Sequence, residues 1–417
     1  MTQADQHTAP PTAFAYYRNL DTEQGQAMKR RLERFAGADL SLPENIIRGH
    51  GVAMNQGDPL SDTYINAMFA GPERGRARPL IEQALTSGID SVTDAPAELT
   101  ALFGQLDAEP EWLDWDLVEH GSEVFRRYGL GLYDFFGMMT FIGYRNPTVA
   151  KPLVLTGAYT GGSAFGRFLE TSRFWTDTSE PGALRPGGVG RRSAVMVRIL
   201  HSIIRRTLLP HDEWDRPRLG MPLSQADSFA TLMASSFFPG QALKLFGYRP
   251  TDDDVLAMMH QWRYIGYLMG IQPPWYPETI TDGFRAQLLV LLSFGTEDSA
   301  DFRHLTQSFM TNYQPKQDTR GPRRLAGELN YRIKLGQARC YVQADTYQAA
   351  ELPDPGLWRF LPYASFVPNF LRETARRHIP GVSGLIDRRN RAARQHWLRT
   401  HLEDGEANFA PVKKLTR

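Results

Sequence analysis

Apolar residues in this chain recur at the three-to-four spacing of an α-helix, and no stretch alternates apolar with polar residues for the length of a strand. That periodicity restricts the fold to the all-α class, with helices packed on helices around one dominant core. The clearest case begins at Glu111-Trp112-Leu113-Asp114-Trp115-Asp116, where Asp114 suits an N-cap. Leu117, Val118, Val124, Phe125, Tyr128 and Leu132 then follow at helical spacing. Phe135 to Ile142 continues as a Met- and Phe-rich segment, and Pro147 and Pro152 interrupt it.

The remaining segments carry the same signal. Helical patterns cover Thr22–Phe35, Leu80–Leu85 and Leu99–Leu106, the last two separated by Asp94-Ala95-Pro96. Two central helices are expected over 153–178 and 191–209, joined by the Gly/Pro loop Pro181–Gly190. Further helices are expected at Gln225–Phe246, Asp253–Ile271 and Ile280–Phe294, with Gly247 and Gly295 placed as C-terminal stops. Asp227 and Asp253 are acids of the kind a helix N-terminus favours. Residues 300–350 hold two or three more helices, and an Arg-rich helical tail runs from Leu371 to Arg399. The tail reads as a solvated helix face, the other reading being a surface for an anionic partner.

Composition excludes several classes. The 417 residues are 42% hydrophobic and 22% charged, with a formal net charge of +1. No global field argues for nucleic acid or a membrane surface. No apolar run reaches spanning length, so stable membrane insertion is not expected. Met1–Thr12 has no apolar core and no twin-arginine pair, which leads to the expectation of a cytoplasmic protein. Cys340 stands alone, so no internal disulfide and no cysteine-based zinc site can form. Its neighbours Arg339 and Tyr341 read as ordinary structure, not as the setting of a thiolate ligand or nucleophile.

The central stretch carries the chemistry. With His201 at zero on a helical wheel, Val197, Ile204 and Leu208 fall within about 60° on one side, and Arg198 and Arg205 within about 60° on the other. An imidazole on a seam between an apolar stripe and two guanidinium groups is what a haem requires: an axial nitrogen, an apolar wall and cations near the propionates. The same spacing also describes a core histidine in a helix whose arginines snorkel. On the preceding helix Arg167, Glu170 and Thr171 share a face, with Phe174 one heptad on. They read either as the polar lining of a distal pocket or as a surface pair.

Other motifs are weaker. Gly187-Gly188-Val189-Gly190 and Thr160-Gly161-Gly162 follow no strand and lack the phosphate-loop lysine. His50, His120, His260, His304, His378 and His396 show no metal-ligand spacing. Asp252-Asp253-Asp254 reads as a helix start, and no Gly-x-Ser-x-Gly elbow is present.

Arg167-x-x-x-Thr171 followed by Arg198-x-x-His201-x-x-x-Arg205 resembles the latex clearing protein family. These are bacterial b-type haem dioxygenases of a wider oxygenase group, which also includes the prenyl-chain-cleaving enzyme of mycophenolic acid biosynthesis. Trp112-Leu113-Asp114-Trp115-Asp116 with Gly121, Val124 and Phe125 is similar to that family too, as is Trp262–Ile271. The likeness covers about residues 111–275. It implies a globin-like helical core with additional N- and C-terminal helices and one haem b (iron protoporphyrin IX). In that frame 1–110 is an N-terminal extension packed on the core, 111–300 the haem-binding core and 301–417 a C-terminal extension. His201 matches the proximal iron ligand, Arg198 and Arg205 the arginines flanking it, and Arg167 and Thr171 the distal polar residues.

Two positions depart from the family. Glu170 stands where rubber-cleaving members can carry a lysine, and Phe135–Leu169 contains no Asp or Glu to match their glutamate base; Lys151 is one of its few charges. A substrate other than polyisoprene is therefore expected. The reading is a haem oxygenase acting on an apolar small molecule or alkene with dioxygen. Arg167 and Thr171 would hydrogen-bond the oxidant, and Glu170 would supply or remove a proton. Phe135, Met138, Met139, Phe174, Phe237 and Phe238 would shape the substrate space, or serve as plain core. Peroxidase or peroxygenase chemistry, a non-catalytic haem sensor and a cofactor-free apolar carrier are the alternatives. Oligomeric state is not legible.

Overall fold

The computed structural model describes residues 9–71, 75–158 and 164–402, and no strand occurs among them. The described residues form twenty-two α-helices joined by short turns. The first six are α1 (Tyr16–Leu20), α2 (Glu23–Ala36), α3 (Glu44–Ala53), α4 (Pro59–Ala70), α5 (Ala77–Ser87) and α6 (Ala97–Asp107). The central set is α7 (Trp115–Arg127), α8 (Leu130–Tyr144), α9 (Pro147–Leu153), α10 (Ala164–Thr178), α11 (Val189–Leu208), α12 (Arg216–Leu219), α13 (Gln225–Ser235), α14 (Phe237–Ala242), α15 (Asp252–Leu268) and α16 (Ile280–Ser293). The chain closes with α17 (Ala300–Thr311), α18 (Gly321–Tyr341), α19 (Ala344–Ala349), α20 (Leu361–Ala364), α21 (Phe366–His378) and α22 (Val382–His401). One apolar core runs without a break from Tyr16 to Ala350.

Most boundaries follow from local chemistry. Asp114 caps α7 by accepting from the Asp116 and Leu117 N–H groups. Ser224 and Thr251 open α13 and α15 with reciprocal capping boxes, closed by Asp227 and Asp254. Asp253 is a first-turn acid of α15, and Gly247 ends its helical turn in the left-handed region at φ 86°. Gly295 does not act as a stop, because Phe294 leaves the helix in an extended conformation first.

Three expected helices are subdivided. The helix expected over 153–178 begins at Ala164; before it, Val154–Ala158 forms a π-turn kinked at Gly157, where φ is 102°. Pro152 lies inside α9 and cannot donate to the preceding turn, so the ladder widens just after it. Thr160-Gly161-Gly162 lies outside the described residues. The helix expected over Gln225–Phe246 breaks at Ser236, because Pro239 removes a backbone donor from the next turn. The Arg-rich tail is two helices, α21 and α22, turned at Gly381.

The central pair is α7 against α15. Gly121 permits their approach, since a Cβ there would stand 2.2 Å from the Ala257 carbonyl oxygen. Arg127 and His120 both reach the buried Asp254, at 2.9 and 3.0 Å. The Asp114 N–H donates to His260 Nε2 at 3.0 Å, and the Arg263 guanidinium lies 4.3 Å over the Trp112 ring. Trp115 meets Tyr264 edge-on. The Trp112–Asp116 and Trp262–Ile271 motifs are thus two halves of one packing device.

Candidate functional site

The site is built on the α10–α11 hairpin. Ser193 at the start of α11 donates to Asp177 at the end of α10 at 3.1 Å. From that bond it is seven residues back to Glu170 and eight forward to His201, about 10 and 12 Å at 1.5 Å per residue. Glu170 and His201 thus lie at comparable distances along α10 and α11 from that bond. Asp177 is the most buried acid of α10; burial raises its pKa, while Arg173 and Ser193 hold it in place. It acts as the hairpin's staple, a role signalled only by the i,i+4 pattern of Arg173 and Asp177.

Around His201 the two sides of α11 differ. Val197, Leu200, His201 and Ile204 form one continuous stripe that is half-buried. No hydrogen-bond partner of the His201 ring occurs among the described residues. Burial, and then the Arg205 charge, push its pKa down to about 3, against the opposing pull of Asp58, so the imidazole is neutral near pH 7. The adjoining stripe is closed. Arg198 is 2% exposed and binds Asp58 through two nitrogens at 2.5 and 3.0 Å, with Gln105 at 2.6 Å and the Leu268 carbonyl at 3.3 Å. Ser202 meets Ser61 at 2.7 Å. Arg205 pairs with Asp62 at 2.8 Å and with the Leu223 carbonyl at 3.1 Å. Both arginines thus form their ion pairs with α4 and its N-cap, and Leu208 lies in the core.

The facing side of α10 is partly open. Arg167 and Glu170 pair at 2.9 Å, both half-buried. Thr171 is exposed and its hydroxyl donates to the Arg167 carbonyl at 2.9 Å. Phe174 is buried against Trp262. Lys151 is engaged by Glu213 at 3.1 Å and Asp301 at 3.8 Å. Phe135, Met138 and Phe237 are fully packed core residues; Met139 and Phe238 are half-buried against it.

Arg394 of α22 was not singled out from sequence. It is 1% exposed and reaches the Trp175 carbonyl at 3.1 Å, the Ser179 hydroxyl at 2.6 Å and Tyr133 at 3.0 Å. A cation there complements the C-terminal end of α10. Cys340 keeps its proton, because burial raises the thiol pKa. No cluster of three or more His, Cys, Asp or Glu able to hold a metal ion occurs among the described residues.

The family described as ER-bound oxygenase mpaB/B'/Rubber oxygenase, catalytic domain, matches residues 132–338. Over that segment, just under half of its length, the chain is similar to this family. The match contains the whole α10–α11 hairpin and begins within α8. A rubber oxygenase of Streptomyces sp. (strain K30) is 24% identical over 203 residues, covering 48% of this chain and 47% of that protein. The chain thus matches about half the length of that relative. The solved structure of latex clearing protein LCP in the closed state superposes with a TM-score of 0.61 at 18% identity, over 82% of this chain and 91% of that one. That likeness is one of fold, and it reaches well beyond the segment that the family shares in sequence.

Proposed function

We propose that this protein is a haem b oxygenase that oxidises or cleaves an apolar alkene with dioxygen, and that His201 is the proximal iron ligand. One observation supports this most: a neutral imidazole without a protein partner stands on a half-open apolar stripe in a helix whose other polar groups are satisfied. His50 is also unbonded but is sealed in the core, and His260 is bonded; the His201 ring alone of these three is both unbonded and on a partly exposed stripe. The residues present fit the group. His201 offers a free lone pair, and Val197, Leu200 and Ile204 offer an apolar wall.

Bound haem would supply the activation of dioxygen. The chain's own part is preparation and proton handling. Asp58 and Asp62 hold α11 in rotation through Arg198 and Arg205, and so aim His201. These two arginines act as positioning residues in this reading. The nearest cation on the distal side is Arg167, which orients the Glu170 carboxylate. In this reading Glu170 is the acid that gives or takes a proton. Thr171 reaches the same space if its hydroxyl turns from the Arg167 carbonyl.

The test is a visible spectrum of the purified protein as isolated, reduced and with carbon monoxide, followed by dioxygen consumption on a panel of isoprenoid and other alkenes. A haem spectrum with alkene-dependent dioxygen uptake is expected. A colourless protein that takes up no haemin overturns the reading; a haem protein active only with peroxide reassigns it to a peroxygenase.

A further inference from the structure

The chain as a whole is close to electroneutral, but its charge is segregated. Between Gly356 and His401 nine arginines stand against two acids. Both acids turn inward: Glu373 is buried against Arg376 at 3.1 Å, and Asp387 receives Arg126 at 2.6 Å. Arg391 and Arg394 also turn toward the body, to Glu180 and the end of α10. Arg359, Arg377, Arg388, Arg389 and Arg399 remain exposed, and residues 356–401 show no exposed carboxylate. Arg377 bonds the Arg249 carbonyl, with Arg249 and Arg376 as neighbouring cations.

The same segment exposes large apolar side chains. Leu357, Val367 and Leu371 are 82%, 62% and 61% exposed, and Phe360, Phe366 and Phe370 accompany them. Val367, Phe370 and Leu371 share the outer face of α21 at i, i+3 and i+4. Leucine, valine and phenylalanine at such exposure within one stretch of fifteen residues form a patch that marks an interaction surface.

We propose that the surface formed by residues 357–389 docks on an anionic lipid bilayer. Exposed apolar side chains and exposed arginines in one segment match the boundary between acyl chains and acidic headgroups. The charge argues against a second copy of this chain, since an isologous pairing would set arginine against arginine. Docking needs no spanning segment, and no helix among the described residues is long and apolar enough to cross a membrane.

Flotation of the full chain with vesicles tests this. The protein is expected to float with phosphatidylcholine vesicles containing phosphatidylserine, to stay behind with phosphatidylcholine alone, and to be released by high salt. Arg388→Gln with Arg389→Gln should lower the partition about twenty-fivefold, at about fivefold per arginine. Leu357→Ser with Val367→Ser and Leu371→Ser should lower it more than tenfold, with circular dichroism confirming the fold. The arginine pair, on exposed positions, keeps the test valid if the triple variant misfolds. Absence of flotation with acidic vesicles, equal flotation with neutral ones, or undiminished binding in both variants overturns the proposal. So does a dimer in sedimentation velocity that the triple variant abolishes while vesicles remain unbound.

Discussion

Two adjoining stripes of α11 carry the residues that sequence reasoning grouped together, and they differ in every physical respect. The stripe of Arg198, Ser202 and Arg205 is closed, and its polar groups meet Asp58, Ser61 and Asp62. The stripe of Val197, Leu200, His201 and Ile204 is half-open, and its polar ring has no partner. A helical wheel assigns angles and says nothing about what lies opposite each angle. The closed stripe holds the helix; the open one is left to meet something outside the chain.

The strongest way to break this contrast is at Arg198. Arg198→Ala leaves Asp58 buried without a counter-charge and should destabilise the fold by about 3–5 kcal/mol, measured by urea unfolding. A loss below about 1 kcal/mol would remove the distinction between the stripes.

A second buried histidine sharpens the comparison. His50 is 0% exposed, neither ring nitrogen has a partner, and the rings of Phe229, Trp275 and Phe294 meet it edge-on. Burial lowers its pKa from 6.5 to about 4. The unfolded chain therefore binds a proton that the folded one refuses between these values. Stability should fall as pH drops from about 6.5 to 4, by on the order of 3 kcal/mol in total. Replacing His50 by Phe should flatten that stretch of the stability–pH curve by about one proton; an unchanged slope would show that His50 does not carry it.

At His201 the effect should appear in the spectrum and hardly at all in stability. Above pH 7, where the imidazole is neutral in the folded and unfolded chain alike, His201→Ala should change unfolding free energy by less than about 1 kcal/mol, because the ring makes no hydrogen bond. The same variant should lose the axial-ligand signature of the haem spectrum. Haem binding that survives unchanged would reject the ligand assignment.

The smallest stability effect belongs to Glu170. Its half-exposed pair with Arg167 is worth a few tenths of a kcal/mol. Glu170→Gln should leave haem content and melting intact yet slow alkene-dependent dioxygen uptake at least tenfold. An unaffected rate would take Glu170 out of the mechanism.

Much of the fold was legible because capping and periodicity are local. Asp114, Asp253 and Gly247 could be placed from their neighbours alone. The break at Ser236 also has a local cause, Pro239, but the apolar run around it masks the signal. The part of the site that stayed hidden is non-local. Asp58, Asp62 and Arg394 lie more than a hundred residues from the groups they bind, and nothing in the spacing of α10 or α11 points to them.

The tail shows the same division. Its arginines were legible as a charge run, and a solvated helix face was the expected reading. In the structure some arginines serve as interior ties, while others border an exposed apolar face. By itself the sequence determined an all-α chain and the one helix on which an imidazole sits between apolar residues and guanidinium groups, because those properties repeat every turn. Only the tertiary structure decided which guanidinium groups are spent on buried carboxylates and which ring is left open, because burial and ion pairing depend on what distant helices bring to each face.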